Sequence, residues 1–237
     1  MIFPILIVGF VGSAAPAFLF ALSITGLHSS YVGMLNALTP IFTLLLAISF
    51  FKQKITRAQV VGVIIGFFGA VGLVLSNNSV DVSGNGMYVL LIMLANVFYA
   101  ISINTLKSKL GNIDSMAVTS ISFILVMIPS LVYLFLFTGF KQKLISNPYA
   151  LEGLGYISVL AVLGTAVSIY IFNYLIKKTS SVFASSTAYV IPIFAMFWGV
   201  LLNNEPVTIW HVISLMIIIL GVYFTNAQKN SLKLKLK

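Results

Sequence analysis

The chain has 237 residues, of which 60% are hydrophobic and only 7% charged, with a formal net charge of +9. Four acidic and thirteen basic side chains cannot cover the outside of a water-soluble globule of this size, so lipid must cover most of it. No cysteine and only two histidines leave little material for a metal cage, a nucleophile or an acid/base pair, so neither an enzyme nor a bound cofactor or metal is expected.

A membrane span needs about 20 largely apolar residues. Roughly eight charge-free runs of that length follow one another: Ile2 to Ile24, Ser30 to Phe51, Ala58 to Ser76, Met87 to Leu106, Ser115 to Thr138, Leu154 to Ile176, Val182 to Asn203 and Val207 to Asn226. The first is read as a retained helix, because no basic stretch precedes it as in a cleaved leader. All seventeen charged residues lie between the runs or at their ends. The joints alternate in charge: 25–29 has no Lys or Arg, the next carries Lys52, Lys54 and Arg57, 77–85 is bare, and Lys107 and Lys109 follow. Lys177 and Lys178, the bare 203–206 joint and a Lys-rich tail continue the alternation, while Lys141 and Lys143 on the longest loop depart from it. Basic joints stay on the cytoplasmic side, which puts both termini inside a plasma (inner) membrane. The basic tail is expected to meet anionic lipid headgroups, and nucleic acid is not an expected partner.

Sliding the chain against itself gives a match at a shift of about 152 residues. Pro40-Ile41-Phe42 falls on Pro192-Ile193-Phe194, Gly12 on Gly164, Ala14 on Ala166, Phe20 on Phe172 and Gly69 on Gly221. Bare joints fall on basic ones and basic on bare, so equivalent loops sit on opposite sides of the membrane. The expected fold is an all-α membrane protein of about eight transmembrane helices from two inverted-topology repeats, the first incomplete. Residues 1–76 form the incomplete repeat of three helices, 77–86 a linker, 87–226 a complete repeat of five, and 227–237 the basic cytoplasmic tail. Two helices, on the order of 65 residues, would complete the first repeat ahead of Met1. Either the chain is a shortened reading or the protein functions with eight.

Polar side chains inside a span must face another helix or a cavity. Asn36, Thr39 and Thr43 lie on one helical stripe beside Pro40, while Asn96, Tyr99 and Asn104 cover a broader arc, as do Thr165, Ser168 and Asn173. These faces are either interhelical hydrogen-bonding surfaces or the lining of one hydrated pocket for a polar or zwitterionic solute. Pro40 and Pro192 each remove a helix hydrogen bond, and their recurrence at the repeat shift makes them candidate kinks on which two halves could rock. Gly62, Gly66 and Gly69 have small-xxx-small spacing, which points to close helix packing within the bundle. No carboxylate lies in mid-span for a proton or sodium relay.

A small-residue helix, a central Pro-Ile-Phe, a short Glu-bearing turn and a Gly-rich closing helix resemble the EamA family of the drug/metabolite transporter superfamily. Here they read Ser180-Ser-Val-Phe-Ala-Ser-Ser-Thr-Ala-Tyr-Val-Ile-Pro-Ile-Phe, then Asn204-Glu205-Pro206-Val207-Thr208, then Gly221. In the first half the acidic turn is replaced by Gln53-Lys54. The resemblance implies a bundle of inverted repeats, with two further helices in the family, that moves small organic metabolites by alternating access. It nominates Tyr99, where the family has a Trp, for the cavity, and Tyr189 is nominated by its place one turn before Pro192. The expected binding residues are therefore Asn36, Thr39, Asn96, Tyr99, Asn173 and Tyr189, with Pro40 and Pro192 as kinks and an amino-acid-like solute as the first candidate. The alternatives are a membrane component that needs a partner subunit or second copy, or lacks transport activity of its own, and a flippase for a lipid-linked substrate. The flippase would have a cavity open sideways to lipid and lined by aromatics.

Overall fold

The computed structural model describes residues 2–27, 29–75, 86–203 and 208–226, which are helical apart from their short joints and contain no strand. In chain order the helices are α1 (Ile2–Ser23), α2 (Ser29–Asn36), α3 (Thr39–Ser49), α4 (Arg57–Leu75), α5 (Gly86–Lys109), α6 (Ser115–Phe137), α7 (Phe140–Ser146), α8 (Ala150–Lys178), α9 (Ser181–Ser185), α10 (Ile191–Asn203) and α11 (Ile209–Asn226). Among the described residues, α1, α5, α6, α8 and α11 are long and apolar enough to cross a membrane. Shorter apolar helices occupy Thr39–Ser49, Arg57–Leu73 and Ser181–Phe194. The outer surface carries Phe3, Leu136, Leu163 and Phe194, each at least 60% exposed, an apolar cover suited to hydrocarbon and not to water.

The two runs with a central proline are each interrupted. Between α2 and α3 the chain makes a turn at Ala37 and Leu38, and between α9 and α10 a 3₁₀ stretch, Ser186–Val190, replaces regular helix. Pro40 and Pro192 both fall in the first turn of the helix that follows, where a missing N–H costs least. Each expected kink is thus a break with a new helix start. Two other helices contain wide π turns, Ile7–Ala14 in α1 and Leu160–Val167 in α8. Pro16 lies two residues past the first, and just after the second the Ser168 hydroxyl donates to the Leu163 carbonyl five residues back at 3.1 Å. The longest loop is itself partly helical as α7, with Lys141 Nζ 5.8 Å from the Phe135 ring centre.

Two packing centres organise the bundle. The helix α5 lies against α1, α2 and α3, and a buried cluster of Ile5, Val8, Ile103, Leu106, Leu110, Val118, Ile176 and Ala184 joins its last turns to α1, α6, α8 and α9. The second centre is the antiparallel pair α4 and α11. A Cβ added at Gly62 would lie 2.6 Å from the Thr225 nitrogen, one at Gly69 2.7 Å from the Ile218 nitrogen, and one at Gly221 would meet the backbone of Gly66. The glycine stripe read from the sequence is therefore what lets two backbones touch. At the start of α6, the Asp114 carboxylate accepts the Met116 and Ala117 N–H groups at 2.7 and 3.2 Å.

Candidate functional site

The break between α2 and α3 leaves backbone groups without helical partners. Pro40 has no N–H for the carbonyl of Asn36, four residues earlier, and the Thr39 hydroxyl donates to that oxygen at 2.8 Å. The same hydroxyl is 3.1 Å from Asn36 Oδ1 and 3.0 Å from Asn96 Oδ1, three oxygens within reach of one proton. The Leu35 carbonyl accepts the Leu38 N–H at 3.1 Å and the Asn96 amide at 2.8 Å. Asn96 is fully buried on α5, so its side chain uses both its donor and its acceptor to bind the broken helix. In the other half, the Ala188 carbonyl, four before Pro192, accepts the Ile191 N–H instead.

Eight residues further along α5, Asn104 does the same again. Its amide donates to the carbonyls of Thr43 at 3.0 Å and of Ala100 at 2.9 Å, and it is completely buried. Asn96 to Leu35 and Asn104 to Thr43 share a sequence separation of 61, so α5 runs parallel to the broken helix in constant register.

Of the six candidate binding residues, Asn36, Thr39 and Asn96 come together at this break. Tyr99, one turn further along α5, packs on Phe20 of α1 with ring centres 5.9 Å apart. Asn173 is elsewhere, on α8, donating to the Thr119 hydroxyl of α6 at 2.9 Å. Tyr189 is fully buried between α4 and α11: its hydroxyl donates to the Val63 carbonyl at 2.8 Å and its ring fills the space over Gly66. The structure therefore joins three of the six at the break and gives each of the others a separate partner. His28, Asp81, Glu205 and the tail 227–237 lie outside the described residues.

Sequence reasoning missed a second polar centre at the basic ends of the helices. Gln53, in the joint after α3, donates through Nε2 to Asn104 Oδ1 at 2.9 Å and accepts the Ser181 hydroxyl at Oε1 at 2.8 Å. Gln59 of α4 is buried and donates to Ser180 Oγ at 3.0 Å. Lys107 of α5 donates to the carbonyls of Lys177 and Thr179. The only signal for these residues was a glutamine within an apolar run and another at the position of an acidic turn.

A groove of about 500 Å³ opens between α1, α5 and α6, walled by Phe10, Phe18, Phe98, Pro129 and Tyr133. Its serine, Ser130, directs its hydroxyl to the Val126 carbonyl of its own helix.

The model of the EamA-like transporter family matches residues 1–75 and 86–227. The chain belongs to that family. Among similar proteins, the EamA-like chain is 29% identical over 197 residues to an uncharacterized transporter of Archaeoglobus fulgidus, covering 83% of this chain and 67% of the relative. It is 25% identical over 201 residues to the uncharacterized inner membrane transporter YedA of Escherichia coli K12, covering 85% of this chain and 63% of YedA. The alignments thus span about two thirds of these relatives' lengths. A solved crystal structure superposes on 97% of the EamA-like chain and 78% of its own at a TM-score of 0.75 and 14% identity, a likeness of fold. The EamA-like chain is accordingly a membrane protein of a transporter family.

Proposed function

We propose that this EamA-like chain carries a small polar metabolite across an inner (plasma) membrane by alternating access, with an amino-acid-like solute as the first candidate and both termini in the cytoplasm. The observation that carries the reading is the pair of broken helices. The turn at Ala37 and Leu38 and the 3₁₀ stretch Ser186–Val190 are separated by the same shift that relates Pro40 to Pro192. The π turns at Ile7–Ala14 and Leu160–Val167 stand in nearly the same relation. Recurrence of irregular backbone at one shift supports two inverted repeats, 1–76 and 87–226, because nothing in local sequence alone requires four irregularities to pair this way. The antiparallel contact of α4 with its counterpart α11 supports it further, since a two-fold axis in the membrane plane makes equivalent helices cross in opposite directions. Carriers of this architecture bind polar solutes at discontinuous helices, where exposed carbonyls and amides replace water. Here Asn36, Thr39 and Asn96 bond to one another and to the broken backbone in this closed arrangement, and they exchange those bonds for solute when the halves rock.

The test is counterflow in proteoliposomes, using purified protein and a panel of labelled amino acids and related zwitterions. Saturable exchange of at least one of them is expected. No exchange from a monodisperse, thermally cooperative sample would refute the solute class.

The aromatic groove between α1, α5 and α6 favours a second reading, a lipid-linked substrate whose chain lies in the groove while its polar part crosses. That reading requires the same proteoliposomes to translocate a headgroup-labelled lipid, and Ala14→Trp, which fills the groove, to stop it. A native subunit that copurifies in mild detergent would instead mark a component that works only in assembly.

A further inference from the structure

We infer that Gln53 is the keystone of a hydrogen-bonded latch that closes the basic end of the bundle, and that it must be an amide and not a carboxylate. The inference rests on the alternating-access reading above and identifies the part that has to open. Three side chains from the first half of the chain grip residues 177–181, where α8 ends and α9 begins. Gln53 accepts the Ser181 hydroxyl, Gln59 donates to the Ser180 hydroxyl, and Lys107 donates to the carbonyls of Lys177 and Thr179. Ser180 in turn caps α9 by accepting the Phe183 N–H at 3.1 Å. The sequence separations run from 70 to 128, so this one segment ties together the α3–α4 joint, α4, α5 and the start of α9. Ser185, one turn after Ser181, and Leu106, next to Lys107, are 2% and 1% exposed.

The chemistry at Gln53 is directional. Asn104 spends its amide protons on the Thr43 and Ala100 carbonyls, so only its oxygen faces Gln53, and that oxygen needs a donor. The Ser181 hydroxyl needs an acceptor. One side chain must therefore donate and accept at once, which a glutamine does and an ionised glutamate cannot. At the repeat shift, Gln53 stands where the second half has Glu205. The backbone is shaped to deliver it: Lys52 adopts φ 48°, a left-handed conformation rare for a side-chain-bearing residue, and the Gln53 N–H returns to the Ala47 carbonyl at 2.9 Å.

The chain has no native cysteine, so a single reporter thiol can be placed under the latch. Ser185→Cys, one turn below Ser181, is treated in membrane vesicles with a charged, membrane-impermeant methanethiosulfonate, and each variant's rate is divided by that of Ser185→Cys alone at the same pH. Gln53→Ala is expected to raise labelling on the order of tenfold at every pH. Gln53→Glu is expected to match it at pH 8 and return to the parent rate as the pH falls towards 4, because the protonated carboxyl regains the donor that Asn104 requires. The charged groups around the site are Lys52 and Lys54 on its own joint, Arg57 on α4, Lys107 on α5, Lys177 and Lys178 on α8, and the Asp114 carboxylate beside Lys177. The excess of cations favours the ionised carboxylate, which places the return in the acid part of the range. Labelling of Gln53→Glu that equals the parent at pH 8, or that is fast but independent of pH, would overturn the inference. A folding defect would raise labelling without a return in acid. The readout needs no substrate, so failure of the counterflow assay leaves it standing, and counterflow with unaltered labelling would sink the latch alone.

Discussion

Replacing Asn96 by leucine separates a structural role from a binding one. The substitution keeps the volume and removes two interhelical hydrogen bonds, from the amide to the Leu35 carbonyl and from the Thr39 hydroxyl to the amide oxygen. Neither partner is left bare: Leu35 O keeps the Leu38 N–H and Thr39 keeps the Asn36 carbonyl. The cost is therefore that of two hydrogen bonds in hydrocarbon, each averaging about 0.6 kcal/mol with a ceiling near 1.7, and not that of orphaned groups. About 1–3 kcal/mol is expected in total. Reversible unfolding by SDS titration in mixed micelles measures it, and the Thr39→Val partner completes a double-mutant cycle in which the shared bond appears as coupling. An unchanged midpoint, or a cycle with no coupling, would refute the account of the break. Loss of counterflow much beyond what the stability loss explains would identify Asn96 as a contact to solute as well.

The seam of α4 and α11 makes two sharper tests. Gly221→Val places a branched side chain against the Gly66 backbone, where no rotamer relieves it, so destabilisation of about 3 kcal/mol or more and loss of protein from the membrane fraction are expected by quantitative blotting. Tyr189→Phe keeps the ring over Gly66 and removes only the bond to Val63, so a loss of about 1 kcal/mol in the same SDS titration is expected. A Tyr189→Phe protein that unfolds as readily as the Gly221→Val protein would show that the hydroxyl, and not the ring, holds that corner.

The helices were legible because hydrocarbon enforces a simple rule: a charge-free run must satisfy its own backbone, and the helix is how it does so. Helical phase put polar faces on the spans, and in the structure Asn96 and Asn173 are buried and bond across helices while Asn36, half-buried, bonds to Thr39 beyond the turn. What phase does not encode is which inward residue meets which. Asn173 finds Thr119, and Tyr189 finds a carbonyl of α4, because the order in which helices pack is decided by long-range contacts such as Gly66 on Gly221. Gln53 was hidden for a different reason. A polar residue in a basic joint can face water at no cost, so its type carries no information about burial until the 177–181 segment is seen folded over it.

The two asparagine clamps on α5 decide whether the break at Ala37 and Leu38 works as a hinge. Asn96 holds the end of α2 through the Leu35 carbonyl and the first residue of α3 through the Thr39 hydroxyl, while Asn104 holds the middle of α3, both on one uninterrupted helix and about 12 Å apart along its axis at 1.5 Å per residue. They share no partner, so through direct contact their stability effects should add to within about 0.5 kcal/mol. A rigid connection between α2 and α3 would change that, because releasing one clamp would loosen the register of the other and the double variant would lose less than the sum. The turn at Ala37 and Leu38 lacks the hydrogen bond that Pro40 cannot make, and the Thr39 hydroxyl replaces it with a bond that a side-chain rotation can release. Additivity is therefore expected for Asn96→Leu and Asn104→Leu in SDS titrations. Coupling above that limit would mean that α2 and α3 move as one rod, and the rocking mechanism would then have to bend somewhere else.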